Sequence, residues 1–553
     1  MKVDKLHIRS RFKNLENVKI DFDENHLMTV VVGRNGSGKS NVLEALVAIF
    51  RNLDLGEAPP FSYELIYRLG EPHKINQSSD RWMEITIDAD PDRGTLAKQY
   101  EVHIRNLLND ENQKDMFDEM SSVVSIPFSK VKRNKDGKAP YLPNYVFAYY
   151  SGPSDRLEKY FKKHRTDFYR KLLKDEVNLK GDIRPLFYAK PNHSQFVLLA
   201  FFLSEQDSEE RAFLREQLGI EGLDSIHFVM RQPGWAKKKE ELFWGAYGVV
   251  RHFLDELIQH TLSPIKVTRQ EDTSLTGNNI RNEFFHLFLP DVDALRAFAK
   301  NLTADELFKM LESTLLSEII SEVNIRVKVS SSEAPLTFRE LSEGEQQLLT
   351  VLGLLKFTGG KDSLFLLDEP DTHLNPSWAI KYLKFLREFV PNHDTSHLLM
   401  VTHHPLAIAE LEKEQVQVMW KDEKYKVHAA EPYVAPRGIG FMSTLTEIFG
   451  LNTTLDLETQ KLLDERNELS SILNRNTAQE DQLAILNDRL NRLGFSFENR
   501  DPLYNEFLLA WQDVKYANKP PLSPLEAAKR REAMNNLIQK LLANGKGVIS
   551  DLH

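Results

Sequence analysis

Apolar runs and alternations divide the chain before any motif does. Leu6, Ile8 and Phe12, then Val18, Ile20 and Phe22, alternate like the start of a small antiparallel sheet. They lead into an apolar run at 27–32, interrupted only by Thr29, which reads as a buried strand, and 41–50 then carries apolar residues at helical spacing. Residues 81–88 and 98–104 alternate as strands around the turn Asp90-Pro91-Asp92-Arg93-Gly94. A further strand at 144–150 breaks at Ser151-Gly152-Pro153-Ser154, which reads as a domain edge.

From 155 to 325 helix formers and aromatics dominate and strands are hard to find, so the pattern predicts a compact helical insertion. Residues 196–203 are apolar all round, as in a buried helix, and 294–300 and 307–311 continue the helical pattern. No heptad is sustained, which excludes a long coiled-coil arm. Residues 324–329 alternate and return the chain to a sheet. Buried strands follow at 363–369, ending in two acids, and at 397–402, ending before two histidines; 416–420 and 425–428 read as a hairpin. Beyond 431 leucines and isoleucines recur mostly at helical steps from Leu462 to Leu493. Four parts result: 1–154, 155–325, 326–430 and 431–553.

One turn changes this picture. Gly33-Arg34-Asn35-Gly36-Ser37-Gly38-Lys39-Ser40 sits between the buried strand and the helix that begins near Asn41. Strand, glycine-rich turn, then Gly-Lys-Ser opening a helix is the context a phosphate-binding loop requires. Glycines let successive backbone N–H groups point at an anion, and the helix N-terminus adds positive partial charge. Lys39 would reach the β- and γ-phosphates of ATP, and Ser40 would hold Mg²⁺. The acids that end the later strand have a use beside such a loop. Asp368 would complete the Mg²⁺ shell and Glu369 would position or deprotonate the attacking water. His403, just past the next buried strand, reads either as a contact to the γ-phosphate or as an ordinary polar cap; His404 reads as a bystander.

Composition narrows the class. The 553 residues suffice for several cores, and 41% apolar with 27% charged is ordinary for a soluble globular protein. No apolar run is long enough for a membrane span, and the first residues carry no signal core. Absence of cysteine excludes disulfides and thiolate metal sites and agrees with a cytoplasmic location. A net charge of −10 argues against a protein coated in nucleic acid while leaving room for a local basic groove.

Together these residues resemble the ABC-type ATPases. The phosphate loop, Leu341 to Gln346, Asp368-Glu369 and His403 occur in that family's order. Leu341-Ser342-Glu343-Gly344-Glu345 resembles the signature loop, usually Leu-Ser-Gly-Gly-Gln, with Glu343 and Glu345 as departures. The resemblance implies an α/β ABC-type ATPase head, a mixed β-sheet with helices, carrying a helical insertion and a helical C-terminal region. It implies that 1–154 and 326–430 are the two parts of the head. It also implies that Gly33, Arg34, Asn35, Gly36, Ser37, Gly38, Lys39, Ser40 and Asn41 bind nucleotide. Ser342 and Gly344 would contact the γ-phosphate of a second copy, which requires a homodimer or a larger assembly.

The opening segment 6–15 resembles the first hairpin of RecF-like and SMC-like heads, in which Lys13 and Asn14 match positions near nucleotide. The length of the insertion and the segment from Arg437 to Glu458 resemble the overcoming-lysogenisation-defect and PtuA groups, the latter associated with Septu and retrons. No glutamine ends the strand at Tyr150, which leaves Gln77 as the candidate for the family's glutamine loop. Beyond His404 no Asp-x-Asp cluster ends a strand, so no nuclease is expected there; Asp456 and Glu458 read as a solvated helix face. That fits PtuA-like ATPases, whose nuclease is a separate HNH protein.

Three basic clusters are candidates for DNA or a retron RNA–DNA complex. They are Lys130, Lys132, Arg133, Lys135 and Lys138; Lys162 to Arg165 with Arg170 and Lys171; and Lys237 to Lys239. The expected function is the ATP-binding and hydrolysing subunit of an anti-phage defence complex. The rival readings are a RecF-type repair ATPase, the motor of a membrane transporter and a nucleotide-dependent scaffold.

Overall fold

A computed structural model describes residues 1–71, 81–107, 123–134, 137–177, 184–236, 241–272, 279–451, 453–472 and 474–495, with short pieces of 525–539. The chain divides into two units, one of 1–31 with 38–407 and one of 32–37 with 408–553.

The first unit begins with β1 (Lys2–Ile8), β2 (Val18–Asp21) and β3 (Met28–Gly33, whose last two residues group with the second unit), then α1 (Lys39–Leu55). The strands β4 (Tyr63–Gly70), β5 (Trp82–Ala89), β6 (Tyr100–Asn106) and β7 (Val123–Ile126) join β1 and β2 in a six-stranded antiparallel sheet, ordered β2-β1-β4-β5-β6-β7. β5 and β6 fall where their alternation predicts them. β4 has the same signal, Tyr63, Leu65, Tyr67 and Leu69 buried with less buried residues between, but falls outside the expected strands.

Next come β8 (Tyr145–Tyr150), α2 (Glu158–Leu172), β9 (Leu186–Tyr188), α3 (His193–Leu203) and α4 (Glu209–Glu216). They are followed by β10 (Ile220–Arg231), α5 (Gly248–Gln259), β11 (Ile265–Asp272), β12 (Asn279–Leu289), α6 (Val292–Phe298), α7 (Ala304–Leu316), β13 (Ile320–Val329) and β14 (Ser332–Thr337). The insertion is therefore helical in α2 to α7, but it is mixed. Five antiparallel strands, ordered β11-β12-β10-β13-β14, form a second sheet within and just beyond it. The physical reason is that β10 shifts register around Gly222 and again between Leu223 and Ser225, which breaks the period-2 pattern a strand needs to be read.

The rest of the unit is α8 (Glu343–Thr358), β15 (Ser363–Asp368), α9 (Pro376–Phe389) and β16 (Ser396–Val401). Here a parallel sheet runs β3-β16-β15-β8-β9. β15 and β16 are buried at every position, which explains their continuous apolar sequence. α3 is the helix expected from its all-apolar face; Phe196 to Phe202 are buried throughout. Its Phe201 packs on Phe357 of α8 and Phe389 of α9 at 5.6 and 5.8 Å. Each such side chain taken fully out of water stabilises by about 1.5–3 kcal/mol.

In the second unit β17 (Val416–Lys421) and β18 (Val427–Ala430) form the expected antiparallel hairpin. α10 (Gly440–Ser443), a π-helical turn at Thr444–Ile448, α11 (Leu457–Ser471) and α12 (Thr477–Arg492) follow. Leu462, Leu486 and Leu490 make the core between α11 and α12. No helix among the described residues is long and apolar enough to cross a membrane.

Candidate functional site

The turn after β3 has the backbone a phosphate loop needs: Gly33, Gly36 and Gly38 have φ of 144°, 79° and 99°. Residues 33–37 group with the second unit and 38–41 with the first. In the second unit, the Arg34 guanidinium donates to the Gly450 carbonyl at 2.6 Å. Asn35 and Gly36 are exposed, whereas the Ser37 hydroxyl is buried with no hydrogen-bond partner.

In the first unit, Gly38 is demanded twice over. Its φ is left-handed, and a Cβ there would lie 2.7 Å from Leu15 Cδ2 and 3.0 Å from Asn14 Oδ1. Of the two residues carried over from RecF-like and SMC-like heads, Asn14 thus lies beside Gly38, and Lys13 meets α1 instead. Asn41 donates to Asn14 Oδ1 at 2.6 Å, and Lys13 pairs with the fully buried Glu44. Burial pulls the Lys39 ammonium down to about 8, while Glu369 and Asp368 oppose the shift.

β15 delivers the acids. The Ser40 hydroxyl donates to Asp368 Oδ1 at 2.8 Å, and Asp368 Oδ2 is buried without a partner among the described residues. Burial pushes this carboxyl up to about 6. A hydroxyl and a carboxylate with one open oxygen are the hard-oxygen donors that Mg²⁺ takes, so the residues fit that ion. Among the described residues no group of three or more His, Asp or Glu converges, so most of the shell would come from water and phosphate oxygens, as Mg²⁺ usually has it.

Glu369 has φ of 52°, a left-handed geometry that is strained for a residue with a Cβ. Three contacts hold it there. Its N–H donates to Val401 O at 2.8 Å, and its carbonyl accepts from Thr372 Oγ1 at 2.7 Å and Gln347 Nε2 at 3.4 Å. His403 Nε2 lies 3.3 Å from Glu369 Oε1, and burial, followed by the Lys39 charge, lowers the His403 pKa. The structure therefore brings Lys39, Ser40, Asp368, Glu369 and His403 to one end of the parallel sheet. His404 stands apart, with its Nδ1 accepting from the Leu406 N–H at 3.3 Å.

The signature departs from its expected form for a visible reason. Ser342 caps α8: its hydroxyl accepts from the Glu345 N–H at 3.3 Å, and Glu345 reaches back to the Ser342 N–H at 2.6 Å. Glu345 thus completes a capping box that also favours the helix dipole. Gly344 lies against the loop after β15, where a Cβ would come within 2.5 Å of the His373 carbonyl.

Three residues at this end were not expected. Gln347 ties α8 to the acid loop, its Oε1 accepting from the His373 N–H at 3.1 Å. The buried Asp371 accepts from Thr402 Oγ1 at 2.6 Å and fixes the turn before His403. Arg156 donates to Asn41 Oδ1 at 2.5 Å and stacks over the Tyr150 ring. Gln347 had a signal, one position beyond the signature; Arg156 had none. Gln77, Lys135 and Lys237 to Lys239 lie outside the described residues. In the remaining basic clusters Arg133 pairs with Asp54, Lys163 with Glu57, Arg165 with Glu158 and Arg170 with Asp167. Asp456 caps α11 by accepting from the Glu458 and Thr459 N–H groups.

Comparisons with known proteins place this site in a wider context. A family model described as "AAA ATPase domain" matches residues 1–210, and one described as an AAA domain of a proposed AbiEii toxin, type IV TA system, matches 271–409. The Septu protein PtuA of Bacillus mycoides is 24% identical over 232 residues, 39% of this chain and 32% of that protein. That of Bacillus thuringiensis is 24% identical over 227 residues, 36% of this chain and 57% of the relative. The chain thus spans about a third and a little over half of the length of these curated relatives. Among solved structures, the SMC head domain from Thermotoga maritima aligns with 78% of this chain and 99% of its own at 11% identity, TM-score 0.30. Stu0660 of Streptococcus thermophilus aligns with 92% of this chain and 99% of its own at 12% identity, TM-score 0.26. Two ATPase family models thus match separate parts of the chain, and over somewhat more than a third of its length the chain is similar, at 24% identity, to the Septu protein PtuA.

Proposed function

We propose that this chain binds and hydrolyses ATP with Mg²⁺ as the ATPase subunit of an anti-phage defence complex of Septu type. The observation that carries the reading is the pairing of Ser40 with a half-satisfied, buried Asp368, one residue before the strained Glu369. Lys39 and the loop N–H groups of residues 33–40 hold the phosphates. Ser40 and Asp368 would hold Mg²⁺, which would supply charge neutralisation to the phosphates. Glu369 orients the attacking water and accepts its proton. His403, kept neutral by burial and by Lys39, fixes the Glu369 carboxylate and faces the γ-phosphate.

Ser342 and Gly344 serve a second copy, giving a homodimer that shares two nucleotides. Nucleotide state then gates a separate HNH nuclease. Leu457 on α11, Ile485 on α12 and Leu493 just past α12 are exposed and support a docking role for the C-terminal region. The complex is cytoplasmic and acts on DNA or a retron RNA–DNA complex. The test is ATP turnover by the full chain: Lys39→Ala abolishes ATP binding, and normal binding by that variant would refute the assignment. The pure chain alone leaves DNA uncut; metal-dependent cleavage by it would refute the separate nuclease.

A further inference from the structure

At the far end of α1, two of the basic clusters converge on a cavity that the ATPase reading does not use. It has a volume of about 920 Å³ and is walled by the end of α1, Arg133, Asn134, residues 137–140, α2, and Arg184. Asp54 on this wall is fifteen residues past Lys39, about 22 Å along the helix axis, so the cavity is separate from the first turn of α1.

Its charges are unevenly satisfied. Asp54 is committed to Arg133 at 2.7 Å and to His164 Nε2 at 2.8 Å, and Asp167 to Arg170 at 3.1 Å. Lys138 and Lys171, both exposed on the rim, have no acid partner among the described residues, and Glu176 is the remaining lining acid. Deeper in, Arg184 is 6% exposed. Its Nη2 donates to Glu312 at 2.6 Å, while its Nη1 is buried with no partner among the described residues. The guanidinium carbon lies over the rings of Phe187 and Phe168, at 4.7 and 5.6 Å from their centroids. The Nδ1 of the buried His164 is likewise unpartnered. Buried polar groups are normally satisfied, and unsatisfied ones call for a partner. A guanidinium pre-set by two rings and a carboxylate presents its remaining N–H groups in the fork that phosphate oxygens fit. The volume is that of a site for a nucleotide-sized ligand.

We propose that this cavity is a second anion site, taking a phosphate-bearing group of nucleotide size, with Arg184 as its deep anchor and Lys138 and Lys171 as its rim. The proposal does not depend on ATP binding at residues 33–40. It is tested by calorimetric titration of inorganic pyrophosphate into the full chain at low salt, for wild type and four variants. Binding should survive Lys39→Ala. It should weaken about tenfold or more in Lys138→Glu/Lys171→Glu, whose exposed positions leave folding intact. It should weaken also in Arg184→Lys, which keeps the charge but not the fork, and in Arg184→Gln. A 5′-phosphorylated oligonucleotide that displaces pyrophosphate where its unphosphorylated form does not would identify a nucleic-acid end as the source. Displacement by mononucleotides alone would identify a free nucleotide. Absence of pyrophosphate binding overturns the proposal, as does binding lost in Lys39→Ala and unchanged by the double charge reversal.

Discussion

Glu312 and Asp368 are both buried carboxylates of the first unit, yet their surroundings differ in kind. Glu312 on α7 receives Arg184 at 2.6 Å and His193 at 2.7 Å. Burial alone would raise its pKa, but those two partners override it and hold it down at about 2. Asp368 receives one hydroxyl, keeps one buried oxygen open, and is pushed up to about 6 by burial. A carboxylate that the fold satisfies locks elements together; one left half-satisfied waits for a ligand. The difference teaches where to look for function: where polar satisfaction stops, rather than where charge is merely buried.

The largest effect should come from the acid beside the open one. Glu369→Gln removes the base while keeping shape, so ATP turnover should fall by about 10²–10⁴-fold with ATP binding retained. Unchanged turnover in a phosphate-release assay would remove Glu369 from that role. Next in size is the closed cluster. Glu312→Gln breaks a buried, doubly paired charge and should cost about 3–5 kcal/mol in denaturant unfolding. A loss below about 1 kcal/mol would show that the pairing is incidental.

The same cluster sets an acid limb. Because the Glu312 pKa in the fold lies below its ordinary 4.5, its stabilisation is complete above that value and drains away as pH falls from about 4.5 towards 2. Stability curves of wild type and Glu312→Gln should converge across that window; parallel curves would contradict the assignment. The smallest effect belongs to Asp368. With an unpartnered oxygen at stake, Asp368→Asn should leave the ligand-free fold within about 1 kcal/mol of wild type. It should nevertheless abolish the extra melting stability that Mg²⁺-ATP confers on wild type. A large loss of ligand-free stability would put Asp368 in the same class as Glu312 and erase the contrast.

What the sequence made legible followed the range of the interactions. The phosphate loop, the apolar run Leu364 to Leu367 before Asp368-Glu369, and the helix opened by Ser342 are local patterns, and each folds as read. The insertion was half legible. α3 announces itself by eight apolar residues in succession, but β10 hides its period behind register shifts, and β11 runs through Lys266, Thr268, Arg269 and Gln270, polar on both faces. Contacts across long separations left little mark. Arg156, which reaches Asn41 over 115 residues, had none, whereas Gln347, which meets the Glu369 carbonyl 22 residues away, was marked only by its place beside the signature. The capping box explains in retrospect why Glu345 stands where the family has glutamine: it satisfies a helix N-terminus with a charge the dipole favours.

The central claim is that ATP is clamped where two copies meet, each giving half of the pocket. The chain has no native cysteine, so one measurement can address it cleanly. Ser342→Cys protein and Asn35→Cys protein are mixed, oxidised with and without Mg²⁺-ATP, and resolved by mass. The account predicts a disulfide joining one chain of each kind, formed only with nucleotide present, because only then do the signature of one copy and the phosphate loop of the other come within bonding reach. Saturating ATP, with binding verified, and no mixed disulfide would contradict it.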